Sequence, residues 1–459
     1  MPQPGAHDRP TRREHDREIV RLAVPAFLAL VAEPLFLLAD AAIVGHLGTE
    51  PLAGLGVAAV VLQTAVGLCV FLAYGTTASV ARRLGAGDLR GALAQGVDGV
   101  WLAVLIGVLV TIPGMLLTEQ LVGLIGADAA VAGPATTYLR IAFLGTTPLL
   151  VMLATTGILR GLQDTKTPLV VAVAGNALNV ALNLLLVYGA GPVEGLGLAG
   201  SAWGSVLAQV ASAVALVAVV VRAARREGAA LSPDLPGIRA AAHAGVALVI
   251  LTLTLRAALL LTTYAVTIGA TGPRDQAVDL ATHQLALTVW TFLAFALDAI
   301  AIAAQAITGR YLGAGDVTGT REVTARMVRW GAVSGVATGL LLAAASPVLG
   351  HLFTGDGDVQ QRLVAVLLIA ALGQPVAGVV FVLDGVLIGA GDGTYLAWGG
   401  LATLAAFAPA ALAAVALGGG LLAVWVSFTV AFMGARLVVL TLRARGTAWL
   451  HTGASFAAR

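Results

Sequence analysis

The chain has 459 residues, 59% of them hydrophobic and 11% charged, with a mean hydropathy of +0.94. So little charge excludes a water-soluble globule of this length and points to a polytopic membrane protein. A formal net charge of +2 gives no basis for nucleic-acid binding, and the single cysteine, Cys69, excludes a disulfide framework or a multi-cysteine metal site.

Residues 1–18 form a polar, arginine-rich tail. The apolar run after it is too long for a signal-peptide core, and no small-residue cleavage site follows, so it is expected to be retained as a helix. Gly, Pro and charge divide the chain into twelve apolar segments, at 19–46, 52–80, 92–117, 130–158, 167–189, 195–222, 239–268, 279–308, 321–351, 359–388, 394–417 and 419–442. Each is about 20–30 residues long, enough to cross a bilayer with some tilt. The 56 glycines suit close helix–helix approach.

The first segment carries LFLLADAAIVGHLG, Leu35–Gly48, with a carboxylate at Asp40. At about 1.5 Å per residue Asp40 lies roughly 30 Å along the helix, in the outer half of the membrane. A charge at that depth is costly unless it pairs, takes up a proton or faces a cavity; the alternative is a hydrated residue at the membrane edge. Glu33 sits two turns earlier on the same face, followed by Pro34, with Pro25 below it. Proline removes a backbone hydrogen bond, so the segment is expected to bend at Pro25 or Pro34. A static kink, with Glu33 satisfied by a neighbouring helix, is the other reading.

The fifth segment carries GNALNVALN, with Asn176, Asn179 and Asn183. Asn179 and Asn183 are four apart and share a face. Amides within a membrane helix need partners; these could orient Asp40, supply oxygens to a cation, or join helices. Ser201, at the start of the sixth segment, is a weaker candidate. In the second half Asp298, Asp384, Gln374, Arg256 and Arg436 are polar groups within apolar segments. Asp298 or Asp384 is expected to pair with an arginine and stay silent, and Arg436, near the end of the last segment, is placed to snorkel.

An internal repeat organises the chain. LGAGD occurs at Leu84–Asp88 and at Leu312–Asp316, 228 residues apart. At the same offset Gly161 and Asp164 match Gly389 and Asp392, and LAGLGVA from Leu52 matches LATHQLA from Leu280. Two six-helix halves of the same topology follow, related by an axis along the membrane normal. The expected domains are a tail (1–18), a first lobe (19–223), a linker (224–238), a second lobe (239–443) and a tail (444–459). Arginine and lysine cluster in alternate connections, among them Arg82, Arg83 and Arg90, then Arg160 and Lys166, then Arg222, Arg225 and Arg226. By the positive-inside rule both termini are expected in the cytoplasm. Asp40 falls on Ile268 and Asp384 on Thr156, so the halves are repeated in structure and unequal in chemistry.

The literal GxGxxG at Gly195–Gly200 follows a membrane helix rather than a strand, which removes the dinucleotide reading. There is no P-loop and no HExxH motif, and His46, His243, His283 and His351 have no metal-ligand spacing. No enzyme and no resident metal are expected, and an ion gradient is the expected energy source.

AEPLFLLADAAIVGHLG (Ala32–Gly48), the paired LGAGD loops, ILRGLQDTKTP (Ile158–Pro168) and GNALNVALN resemble the multidrug and toxic compound extrusion (MATE) family, DinF-like branch. The resemblance implies an all-α membrane protein: twelve transmembrane helices in two six-helix lobes, related by a pseudo-two-fold axis along the membrane normal. It implies a secondary active exporter of cationic or amphipathic drugs or toxic metabolites by alternating access, without cofactor, in exchange for H+ or Na+. Asp40 would be the protonation or cation site of the first lobe, Pro25 the bending residue, and Asn179 and Asn183 cavity residues. Some members carry Asp at the position of Asn183. With amides there, H+ is the expected ion, although Asp40, Asn179, Asn183 and Ser201 could cage Na+. Asn176, Asp298, Asp384, Gln374 and Arg256 are weaker cavity candidates. A monomer in the lipid bilayer of the inner (plasma) membrane is expected. The alternatives are a lipid-linked oligosaccharide flippase of the same superfamily and a membrane receptor without transport.

Overall fold

The computed structural model describes residues 11–126, 128–190 and 193–454; the outer ends of both polar tails lie outside the described residues. Among the described residues twelve helices are long and apolar enough to cross a membrane. They are α1 (Arg12–Gly45), α2 (Thr49–Gly85), α3 (Leu89–Leu116), α4 (Ala130–Gly161), α5 (Lys166–Tyr188) and α6 (Leu198–Arg226) in the first half. The second half has α7 (Leu235–Gly269), α8 (Pro273–Gly313), α9 (Val317–Phe353), α10 (Gly357–Gly389), α11 (Gly393–Ala416) and α12 (Gly420–Arg445). The expected all-helical membrane fold is the one observed. Apart from these, the described residues hold a short helix, Thr118–Leu124, and a two-residue antiparallel pairing of Gly189–Ala190 with Val193–Glu194. Most helices run past their apolar segments, so only residues 227–234 separate α6 from α7. Polar residues at the ends extend a helix that burial alone would not require.

The repeated motifs are helix ends. In LGAGD the backbone amide of Asp88 donates to the carbonyl of Arg83 and that of Asp316 to Tyr311, the six-residue bond of a Schellman turn. Gly87 and Gly315 supply the left-handed residue, each at φ 78°. Asp88 and Asp316 then cap the next helix, accepting from the amides of Gly91 and Gly319 at 2.8 and 2.7 Å. The second matched pair repeats the turn, Asp164 to Leu159 and Asp392 to Leu387. There the left-handed position is Gly391 in one half and Gln163, φ 64°, in the other.

The chain forms two compact units. One holds Pro25–Gly245; the other holds the described residues up to Val24 together with those from Val246 onward. Both divisions fall inside a helix. α1 runs unbroken through Pro25 and Pro34, yet its first turns cluster with the second half of the chain. The first turns of α7 cluster with the first half. Neither Val24 nor Gly245 coincides with a boundary drawn from hydropathy, because the helices stay continuous where the packing partner changes.

Candidate ion-coupling site

The site lies within the unit formed by Pro25–Gly245. Four helices deliver it. α1 brings Asp40, which is 3% exposed. α5 brings Asn179 and Asn183 on one face, both buried. α6 brings Ser201 and Ser205, and α4 brings Tyr138. The Asn183 side-chain amide donates to Asp40 Oδ1 at 2.8 Å, and the Ser201 hydroxyl donates to the same oxygen at 2.5 Å. Tyr138 reaches Asp40 Oδ2 from 3.4 Å. Asn183 also donates to Asn179 Oδ1 at 3.1 Å, and Asn179 donates to the Ser205 hydroxyl at 3.0 Å. A line of neutral hydrogen-bonding groups therefore ends on one carboxylate.

Among the described residues no cation is a partner of Asp40. Burying a carboxylate costs several kcal/mol even after relaxation. Hydrogen bonds to a charged group return roughly 1.5–3 kcal/mol each. Two short bonds and one long one, all from neutral groups, are what this carboxylate has in return. One further group is unsatisfied: Asn183 Oδ1 is buried without a hydrogen-bond partner. A hydroxyl of protonated Asp40, or a small cation, would answer it.

The chain matches the MatE family over residues 25–185 and 253–398. The chain belongs to the MatE family. The two matched stretches of the MatE chain begin 228 residues apart, at the offset of the internal repeat. It is 32% identical over 397 residues to Protein DETOXIFICATION 44, chloroplastic, of Arabidopsis thaliana, covering 83% of this chain and 73% of that one. It is 27% identical to DNA damage-inducible protein F of Escherichia coli (strain K12), over 90% of this chain and 89% of that one. Among solved structures it shares the fold of one described as the "Outward-facing conformation of a multidrug resistance MATE family transporter of the MOP superfamily". That match has a TM-score of 0.85 at 23% identity and covers 95% of this chain and 96% of the other. The MatE protein is thus a multi-pass membrane protein of the two-lobe fold.

The remaining sequence candidates of this MatE chain stand apart from Asp40. Glu33 is exposed on α1. Asn176 bonds the Ala32 carbonyl at 2.9 Å and so ties α5 to α1. In the other unit Asp384 of α10 forms an ion pair with Arg436 of α12, which is buried rather than snorkelling because it has this partner. Gln374 is buried and accepts from the Thr338 hydroxyl at 3.5 Å. Asp298 is half-buried and engaged, and Arg256 is exposed. Tyr138 and Ser205 were not legible as site members. Tyrosine and serine in apolar helices usually serve packing or the membrane interface, and neither carries a charge to flag it. Their one signal is helical phase: Ser205 lies one turn beyond Ser201.

Proposed function

We propose that the chain is a secondary active multidrug exporter that exchanges protons for cationic or amphipathic small molecules by alternating access, with Asp40 as the titrating group. The observation that carries this is the buried, cation-free Asp40, served only by neutral donors from α4, α5 and α6. Such a carboxylate can take up a proton without breaking an ion pair. Protonation at Oδ2 turns that acceptor into a donor, so the Tyr138 hydroxyl that reaches it, and the contacts of that hydroxyl, must reorient. Deprotonation restores them. Family membership supports transport, and the multidrug resistance transporter that shares the fold supports drugs as cargo.

Na+ coupling is the second reading, favoured by the unsatisfied Asn183 Oδ1 beside Asp40, Asn179 and Ser201. Four oxygens are a fair start for a hard cation, but only one carries charge. The deciding experiment is efflux of a fluorescent cationic dye from proteoliposomes under an imposed pH or Na+ gradient, with wild type and Asp40→Asn. Transport driven by the pH gradient and abolished in Asp40→Asn is the expected result. Transport that follows Na+ alone replaces the proton by a cation. Undiminished transport in the variant removes Asp40 from the mechanism.

A further inference from the structure

The first turns of α1 are held by a polar clamp that belongs to the second unit. Thr11 and Glu14 form a reciprocal cap at the helix start, each backbone amide bonded to the other's side chain. One turn on, Asp16 takes both branches of the Arg326 guanidinium, from α9, and the Trp330 indole N–H at 2.7 Å. Glu18 accepts from Arg310 of α8 at 2.5 Å. His15 is buried, with its Nε2 3.3 Å from the Tyr311 hydroxyl. Ile19 and Leu22, both 1% exposed, continue the buried face up to Pro25. Arg13, Arg17 and Arg21 occupy the opposite, exposed face.

The residues that lead into α7 show the counterpart in the other unit. The backbone amide of Asp234 donates to Asp98 Oδ1, from α3, at 3.0 Å. The Trp101 indole donates to the Leu231 carbonyl at 3.0 Å, one turn along α3. Gly245 lies against the Phe71 ring with no room for a side chain. Asp98 and Arg326 are 228 residues apart, the offset of the repeat. The same position in each half thus anchors the incoming segment of the other half's first helix. The residue types differ, carboxylate against guanidinium, so this is a repeated geometry with independent chemistry.

We propose that Asp16, Glu18 and Arg326 are positioning residues for transport: they fix the start of α1 to the second unit, so that a rearrangement around Asp40 is transmitted through α1 across Pro25. Asp98 does the same for the start of α7. The proposal rests on the reading that Asp40 drives a change in α1. A single isolated surface ion pair would not serve, since such pairs contribute little. This clamp combines a bidentate guanidinium, an indole donor and a second acid, which together define one register of the helix.

The test uses the full-length protein. Asp16→Asn/Glu18→Gln is compared with wild type by hydrogen exchange of residues 12–24 and 25–45 in lipid nanodiscs, and by dye efflux and dye affinity. Exchange over 12–24 is expected to rise severalfold with 25–45 unchanged. Turnover is expected to fall severalfold while dye affinity and KM stay at wild-type values. The charge exchange Asp16→Arg/Arg326→Asp is expected to recover turnover over Arg326→Asp alone. Raised exchange with unchanged turnover overturns the positioning role, and unchanged exchange overturns the clamp itself. Should the double variant fail to fold, Glu18→Gln alone is read by the same criteria. Exchange does not depend on the coupling ion, so loss of pH-driven transport in wild type would strike the Asp40 mechanism and leave the clamp to be judged under whichever gradient drives efflux.

Discussion

At Asp40 the two carboxylate oxygens are unequally served. Oδ1 receives Ser201 at 2.5 Å and Asn183 at 2.8 Å, while Oδ2 receives only Tyr138 at 3.4 Å. Oδ2 is therefore the oxygen that would carry a proton, and Oδ1 the one whose bonds hold the carboxylate in place. The identity of residue 183 then decides which ion the site prefers. An amide supplies a donor and an uncharged oxygen; a carboxylate would supply a second charge and only acceptors. Asn183→Asp is expected to make efflux respond to an imposed Na+ gradient and to weaken its dependence on the pH gradient. The check is the same dye assay with the two gradients applied separately, and a variant that still follows only protons would refute the argument. The cluster was partly legible in the sequence. Asp40, Asn179 and Asn183 are polar groups that an apolar helix does not carry without partners, and helical phase brings the two amides together. Tyr138 and Ser205 were not legible, because their partners are fixed by tertiary contacts between distant segments. Glu33, two turns from Asp40 on the same face, lies outside this hydrogen-bonded cluster.

Between helices, small residues set the distances. α9 carries Gly331, Gly335 and Gly339 at intervals of four, and each lies directly on the backbone of α10. A Cβ on Gly331 would stand 2.4 Å from the Gly378 carbonyl, on Gly335 2.4 Å from that of Gln374, and on Gly339 2.6 Å from that of Ala371. In a bilayer no hydrophobic force drives helices together, so this backbone approach is itself the source of packing energy. Gly335→Leu is expected to separate α9 from α10 and to lower stability by about 1–3 kcal/mol, the usual cost of overpacking, or more because the obstacle is backbone. Thermal unfolding in detergent measures it, and an unchanged melting temperature would show that the two helices can part freely. The abundance of glycine in the sequence announced close packing; which helices use it was not readable, since several helices carry glycines at such spacing. The repeat was more informative. Its short motifs proved to be helix ends, and Gln163 in the position of Gly391 shows that the turn outlasts the residue best suited to it.

Across the whole chain the two halves share topology and differ in chemistry. The first half holds a carboxylate without a cation; the second holds Asp384 with Arg436. The pair adjoins a small cavity lined by Leu251, Thr403 and Leu440, and Asp384 Oδ1 and Arg436 Nη1 have no further partner there. Repeat-equivalent to Asp384 is Thr156, and to Arg436 is Ala208, so the pair has no counterpart in the first half. A buried ion pair resists single changes and tolerates joint ones. Removing one partner strands the other at a cost of about 3–5 kcal/mol, whereas replacing both with apolar residues of similar volume is close to neutral. Arg436→Met alone is therefore expected to destabilise the protein strongly. Asp384→Leu/Arg436→Met is expected to melt near the wild-type temperature and to transport dye close to the wild-type rate. A double variant that is stable but inactive would place a working charge in the second half, and the asymmetry of coupling argued from Asp40 would then have to be replaced by two cooperating sites.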